Sequence, residues 1–453
     1  MLDRLLFKQV DSVGLVLWRM AFGLLIAIEG FGAIATGWVR RVMIEPQFTF
    51  NFIGFEFLQP LPGNGMYFYF TLMGIFGLLV MLGYKYRFSM MMYAIMWSGV
   101  YLMQKTSYNN HYYLMMLLCW LMVLLPANRY ASLDSKIDPS IKSISVPRWA
   151  YVVPIALIWI VYTYASVAKI YPDWLDGTAT RLFMQGKKNY QLIGPILQEE
   201  WLHYVMAYVG IFFDLLIVPM LLWKRTRMLG FVLSLFFHLF NSVVFRIGIF
   251  PYMSIAFSFF FFSSEILIKR FVPKKPLYLA GEIKVPSYKP ILVWGFGIFL
   301  MIMIALPLRH WSFKDHVLWN EEGHRLAWRM MLRTRNGQLI YYVVDKETGQ
   351  RTVFQHQNLL TKKQRRSMRT KPDMIWQLAQ RIHDIELQGG RDVEVKVASR
   401  VKVNDREYAN FIDPEVDLAA VPWEHFKHSD WILPMPEDFW DRPKKSNSDK
   451  KSD

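Results

Sequence analysis

Long apolar segments recur through the first two thirds of this chain, and they limit its possible folds more than any other feature. Of its 453 residues, 53% are hydrophobic and only 19% are charged. A helix that crosses a hydrocarbon core of about 30 Å needs roughly 20 apolar residues. We therefore predict a multi-pass membrane protein, an all-α bundle of about nine transmembrane helices. The segments lie near residues 12–36, 65–83, 88–104, 111–126, 149–170, 203–223, 228–249, 251–268 and 290–307.

The basic residues predict how the chain is oriented. Lys and Arg cluster in alternate short loops, at residues 85–87, 129–148, 224–227 and 269–289. Basic loops stay on the cytoplasmic side of a membrane. We therefore expect a cytoplasmic N-terminus in the cell inner membrane, or in the endoplasmic reticulum of a eukaryote, with everything after Pro307 outside. The net charge of +16 follows from these loops, so no nucleic acid partner is expected.

The composition changes after Pro307 to mixed polar residues. Alternating apolar residues around a turn predict a β-hairpin, and a further strand and a helix are expected nearby. The hairpin strands are residues 338–344 and 351–354, the helix is 372–388 and the other strand is 393–403. We predict a transmembrane domain with the active site at 1–307, an extracytoplasmic α+β domain at 308–443 and a disordered tail at 444–453.

Lys169 is the most informative polar residue, because a cation at membrane depth is costly and is usually kept for a function. Burial disfavours a charged ammonium, so a buried lysine can act as a neutral base. A base at a membrane boundary suggests a lipophilic acid as substrate. The alternative is a lysine at a helix end that extends to the lipid headgroups, and a lone lysine fits both interpretations equally.

Other polar residues are predicted on the same outer side as Lys169. The run Tyr108-Asn109-Asn110-His111 precedes an apolar segment, and His238 lies within another, one turn before Asn241. Such groups can hold an enolate or phenolate anion through hydrogen bonds. Singly, Asn-Asn before a helix is more often an N-cap, and a lone histidine is more often a satisfied core residue. Their predicted convergence with Lys169 favours a site.

Metal chemistry is not expected. Cys119 is the only cysteine, so neither an intrachain disulfide nor a thiolate metal site can form. The pattern of histidines in Glu424–His428 could suggest a metal site, but it has no third ligand in view and no helical His-Glu-x-x-His motif.

Several segments resemble the vitamin K-dependent gamma-glutamyl carboxylases. They are Lys105–Leu114, Ala165–Trp174, Phe237–Gly248, Trp328–Met331, Asn404–Arg406 and Phe411–Asp417. The resemblance implies that Lys169 deprotonates a reduced naphthoquinone and that His111 assists at the carbanion or carbon dioxide stage. The predicted catalytic residues are Lys169, His111, Asn109, Asn110, His238 and His324. The predicted quinol-binding residues are His238, Asn241, Tyr108 and Trp174.

The resemblance also implies the reaction, that of a carbon–carbon lyase type of enzyme. Reduced vitamin K or menaquinol would be oxygenated to the epoxide, and this would be coupled to carboxylation of glutamate in a peptide or protein. Dioxygen and carbon dioxide would be co-substrates, without a metal, and membrane lipid would surround the site. Burial in a bundle would exclude water from the strong base that such a reaction needs.

Departures from the family pattern leave other functions open. The chain is shorter than the animal enzymes, as a prokaryotic homologue would be, and it lacks the cysteine pair that joins their two regions. His324 stands where animal members have a tyrosine, which puts coupling in doubt. The alternatives are a quinol epoxidase without carboxylation, a non-catalytic quinone- or lipid-binding membrane protein, and a transporter. No internal symmetry supports the transporter.

Overall fold

The computed structural model describes residues 1–440. The chain divides into two compact units. Unit 1 comprises residues 1–45, 51–163 and 213–304, and unit 2 comprises residues 46–50, 164–212 and those from 305 onward. The predicted tail at 444–453 lies outside the described residues. The predicted domain boundary at Pro307 stays a prediction.

Helices dominate the described chain. The longer ones are α1 (Val13–Ala35), α2 (Gly65–Leu82), α3 (Tyr86–Met103), α4 (Asn110–Leu124), α5 (Trp149–Val167), α6 (Glu200–Leu222), α7 (Arg227–Phe245), α8 (Lys289–Leu308) and α9 (Pro372–Gln388). The shorter ones are Leu2–Leu6, Leu133–Ile137, Pro172–Leu175, Thr178–Gln185, Phe250–Ala256, Ser264–Phe271, Val317–Asn320 and Lys362–Met368.

The predicted count of nine spans is not confirmed. Within residues 1–440, six helices are long and apolar enough to cross a membrane: α1, α2, α5, α6, α7 and the segment Lys289–Ser312 that contains α8. The predicted span at 251–268 is a pair of short helices bent by 118°. The helix α4 has only 15 residues, about 22 Å at a rise of 1.5 Å per residue. The helix α3 is less apolar because it carries Arg87, two serines and three tyrosines.

Glycines hold α1 and α2 together in unit 1. A Cβ atom added at Gly77 would lie 2.6 Å from the backbone nitrogen of Ala27, and one added at Gly30 would lie 2.8 Å from that of Gly74. Small residues let helix backbones approach closely, which is the usual basis of helix pairing in membranes. This pair is therefore packed through its main chains.

A two-stranded ribbon in unit 1 pairs β1 (Gln9–Asp11) with β2 (Ser145–Pro147). Unit 2 contains an antiparallel sheet with the strands β3 (Arg335–Asp345), β4 (Arg351–Phe354), β5 (Val393–Val403) and β6 (Ala409–Ile412). Their order in the sheet is β4-β3-β5-β6. On β5 every second residue is buried, mostly valine, as a half-buried strand requires. These valines share a core with Ile375, Leu378 and Ile382 of α9. The predicted hairpin, helix and further strand are confirmed.

Candidate functional site

Lys169 lies two residues beyond the end of α5, in a short turn. Its side chain is buried, with 7% of the residue exposed. The Nζ atom donates a hydrogen bond to the Ala165 carbonyl at 2.9 Å and lies 5.6 Å from the centre of the Trp174 ring. The indole of Trp174 donates to the Ala207 carbonyl of α6 at 2.9 Å. The lysine is thus held by a carbonyl and an aromatic face, and it is not extended into solvent as a snorkelling lysine would be.

A buried ion pair fixes the segment that follows Lys169. Pro172 opens the next short helix, where its missing N–H costs nothing. The carboxylate of Asp173 accepts hydrogen bonds from Arg406 Nη2 at 2.5 Å and from Asn404 Nδ2 at 2.6 Å. The side chains of Asp173 and Arg406 are 1% and 2% exposed. Charge-assisted, bidentate pairs of this kind define geometry as well as energy.

The Tyr171 hydroxyl strengthens the same attachment by donating to the Leu332 carbonyl. Asn404-Asp405-Arg406 and the stretch just before Leu332 are segments that carry the family resemblance. Within unit 2, these segments therefore position the lysine segment.

Two predicted histidines meet around one phenylalanine in unit 1. The ring of His111, in the first turn of α4, stacks on Phe250 with centroids 3.9 Å apart. The ring of His238, on α7, meets Phe250 edge-on at 5.9 Å. His238 is 1% exposed, and its Nε2 lies 3.0 Å from the Tyr162 hydroxyl.

The other ring nitrogen of His238, Nδ1, is buried and has no hydrogen-bond partner within the described residues. Buried polar atoms are nearly always paired, so such an atom needs an explanation, and one explanation is a ligand. His111, Tyr162, His238 and Phe250 form what we call the imidazole cluster. Lys169 belongs to unit 2, so its predicted convergence with these residues stays a prediction.

The predicted asparagines have local partners. Asn109 is the N-cap of α4, and its side chain accepts from the Tyr112 backbone at 2.7 Å, which is the ordinary role of such a residue. Asn110 accepts from the Tyr108 hydroxyl at 2.9 Å. Tyr108 also lines a small cleft together with Trp38 and Tyr101. Asn241 lies half-buried on α7, one turn beyond His238. Catalytic and quinol-binding roles for these residues stay predictions.

His324 lies in unit 2 among buried cations. Burial, with repulsion from Lys371 and Arg329, lowers the pKa of His324 well below its usual value, so its ring is neutral at physiological pH. Its Nδ1 is buried without a hydrogen-bond partner in the described part of the chain. Burial and the neighbouring Arg325 and Arg333 also lower the pKa of Lys371 to about 7.

Two acids pair with several of these cations. Glu321 pairs with Arg333, with Arg335 at 3.3 Å and with Lys371 at 3.6 Å. Asp373 pairs with Arg325 at 2.5 Å. We call the basic members the cationic cluster: Arg325, Arg329, Arg333, Arg335 and Lys371. Guanidinium groups bind carboxylates through charge-assisted, bidentate hydrogen bonds, so a cluster of this composition can bind such an anion.

Sequence reasoning missed several of these residues. Tyr162 lies 76 residues from His238 in the sequence, and no local pattern links the two. The alternate arginines at 333 and 335 could have indicated a charged strand end. Nothing local indicated Phe250 or the pairing of Asp173 with Arg406. Among residues 1–440, no group of three His, Cys, Asp or Glu side chains is arranged to hold a metal ion.

Comparisons with protein families agree with this architecture. Residues 7–265, more than half of the chain, match the HTTM domain, so the chain belongs to the class of membrane proteins built on that domain. Residues 288–438 match the lumenal domain of vitamin K-dependent gamma-carboxylase. With both matches in one chain, the protein belongs to the vitamin K-dependent gamma-carboxylase family. No solved structure matches it.

Proposed function

We propose that this protein is an integral-membrane gamma-glutamyl carboxylase that couples oxygenation of a vitamin K-type hydroquinone to carboxylation of glutamate by carbon dioxide. The observation that carries the proposal is the buried Lys169, which contacts a carbonyl and an indole and is positioned by residues of the carboxylase-type domain. A lysine in this setting can serve as a base toward a phenolic hydroxyl.

The imidazole cluster suits a reduced naphthoquinone, which is flat, aromatic and bears two hydroxyl groups. Phe250 provides an aromatic face, and His238 provides a buried nitrogen able to hydrogen-bond an oxygen atom. Menaquinol would fit the same chemistry. When bound, the hydroquinone supplies the electrons that reduce dioxygen and the basicity that removes a glutamate γ-proton. Lys169 holds the phenolic proton, and Tyr162 orients the ring of His238.

The cationic cluster suits the acidic partner in the reaction, a glutamate-containing peptide or protein. Its buried guanidinium groups can bind a γ-carboxylate, and they can also bind the doubly charged carboxylated product. His324, being neutral, adds a polar contact without adding charge. We place residues 308–443 on the extracytoplasmic side, with the N-terminus in the cytoplasm, because of the basic loops described above.

The test is to supply the purified protein in detergent with reduced vitamin K or menaquinol, dioxygen, bicarbonate and a glutamate-rich peptide. Mass spectrometry would follow the quinone epoxide and the carboxylated peptide together. Both products are expected. A variant in an exposed hairpin, Thr348→Ala, is the control for handling losses. Absence of both products with several quinones and peptides would favour a non-catalytic quinone- or lipid-binding protein.

A second candidate is a quinol epoxidase that does not carboxylate. The observation that favours it is His324, which stands in place of a tyrosine and is neutral and buried. Epoxide without carboxylated peptide would support this candidate. Restoration of carboxylation by His324→Tyr would then assign the uncoupling to this position.

A further inference from the structure

A loop before α6 presents an apolar tip to its surroundings. It spans residues 186–199, between the helix Thr178–Gln185 and α6. Leu192 is 96% exposed and Ile196 is 47% exposed. Single exposed apolar residues are common on protein surfaces, so exposure alone means little. The hydrogen bonds that hold the loop and its position just before α6 are more informative.

The tip is held by hydrogen bonds on both sides of Leu192. The Gly194 N–H donates to the Tyr190 carbonyl at 2.7 Å, and the Gln198 side chain donates to the Met184 carbonyl at 2.9 Å. Leu197, directly after the tip, is 1% exposed and anchors it. A Cβ atom at Gly194 would come within 2.5 Å of the Tyr190 carbonyl oxygen. The loop is therefore built to keep one conformation with Leu192 outward.

The loop is tethered to a membrane span. Ile196 precedes the first residue of α6 by four positions, so it lies within about 14 Å of that residue even if the chain is fully extended. The first turns of α6 expose Trp201, Val205 and Tyr208 at 55%, 45% and 44%. Tryptophan and tyrosine concentrate where a span meets the headgroups. The apolar tip therefore lies close to a helix end whose exposed aromatic residues suit a membrane interface.

Basic groups lie beside the tip, as at many surfaces that meet lipid headgroups. Lys188 is exposed, and the Lys187 ammonium lies 5.4 Å from the centre of the Tyr190 ring. Glu199 and Glu200 follow closely and are also exposed. The two lysines and the two glutamates therefore balance in charge, and apolar contact would be the main attraction of the tip to a lipid surface.

We propose that residues 190–196 form an interfacial anchor, in which Leu192 and Ile196 enter the headgroup region of the bilayer. The occupant of this surface is lipid, whatever the headgroup charge. The anchor would hold the segment between Lys169 and α6 at the membrane surface. The inference stands apart from the proposed enzymatic function, and its test needs no turnover.

The single cysteine makes a clean experiment possible. In a Cys119→Ala background, Leu192→Cys and Ile196→Cys would be labelled with an environment-sensitive fluorophore and reconstituted in phosphatidylcholine nanodiscs. Thr348→Cys, in the exposed hairpin turn, is the matched control. We expect blue-shifted emission at both tip positions, and loss of emission when the lipids carry bromine near the headgroups. The control should show neither.

Two results would overturn the proposal. One is a label at 192 and 196 that is as water-exposed in nanodiscs as the label at 348. The other is fluorescence emission that brominated lipid does not quench but that changes when a glutamate-rich peptide is added. That result would make the tip a peptide contact. A Gly194→Ala variant, which displaces the tip, should reduce quenching at 192 while the protein still elutes as a single species.

Discussion

Removal of the Arg406 side chain should destabilise unit 2 strongly. In Arg406→Ala, the carboxylate of Asp173 would stay buried, with 1% of its side chain exposed, and would keep only the neutral donor Asn404 among its described contacts. Loss of one partner of a buried ion pair lowers the free energy of unfolding by about 3–5 kcal/mol. For a unit of roughly 150–250 residues, this corresponds to a fall in melting temperature of about 6–20 °C.

The assay is thermal unfolding in detergent, followed by protease susceptibility of the 164–212 segment. Lys346→Ala is the matched control, because its pair with Asp392 is 42% and 54% exposed, and such exposed pairs contribute little to stability. The double variant Asp173→Leu with Arg406→Met removes both charges and should recover much of the loss. A melting temperature for Arg406→Ala that matches the Lys346→Ala control would refute the reasoning.

Three further predictions concern packing, pH and the imidazole cluster. Gly77→Ala should lower the free energy of unfolding by about 1–3 kcal/mol through overpacking. The control Gly32→Ala should not, because a Cβ atom there meets nothing within 4 Å. Equal melting temperatures for the two variants would contradict the close α1–α2 contact. An unfolded lysine keeps its proton to about pH 10.4, but folded Lys371 loses it near pH 7. The unfolded state therefore binds more protons between these values, and the free energy of unfolding should rise with pH across them. Lys371→Met should flatten that rise in denaturation curves, and an unchanged slope would show that the lysine is not perturbed. Tyr162→Phe removes the hydroxyl beside His238 Nε2. It should lower the free energy of unfolding by about 1–3 kcal/mol and weaken hydroquinone binding. Binding that matches the wild type in a quenching titration would exclude an orienting role for Tyr162.

Local patterns predicted these strands and the helix of unit 2 well. Alternating valines in Val393–Val403 set a period of two, and the hairpin turn between β3 and β4 breaks the alternation where the chain reverses. These signals lie within a few residues of one another, so sequence alone can show them. The α9 helix was likewise evident, with Pro372 at its start and Gly389 after its end.

The predicted span count is not confirmed, because hydropathy alone does not show where a helix ends or bends. The chain breaks near Phe260, and the two helices on either side meet at 118°. Within α4, the N-cap at Asn109 and the end at Leu124 leave too few residues for a full crossing. Such segments are apolar enough to be predicted as spans, but in the structure their helices are too short or are broken by a bend.

The candidate site was only partly visible in the sequence. Lys169, His111 and His238 stand out because polar groups in apolar segments are rare. Their partners do not stand out: Arg406 is 233 residues from Asp173, and Tyr162 is 76 residues from His238. Such contacts depend on the tertiary fold and leave no periodic trace in the chain.

The most direct test of the central claim is the turnover of hydroquinone to epoxide by wild-type protein and by Lys169→Ala, with quinone binding measured on the same samples. If Lys169 is the base, turnover should vanish in the variant while binding largely survives. Epoxide formation at the wild-type rate in Lys169→Ala would contradict the account, because another group would then have to take the phenolic proton.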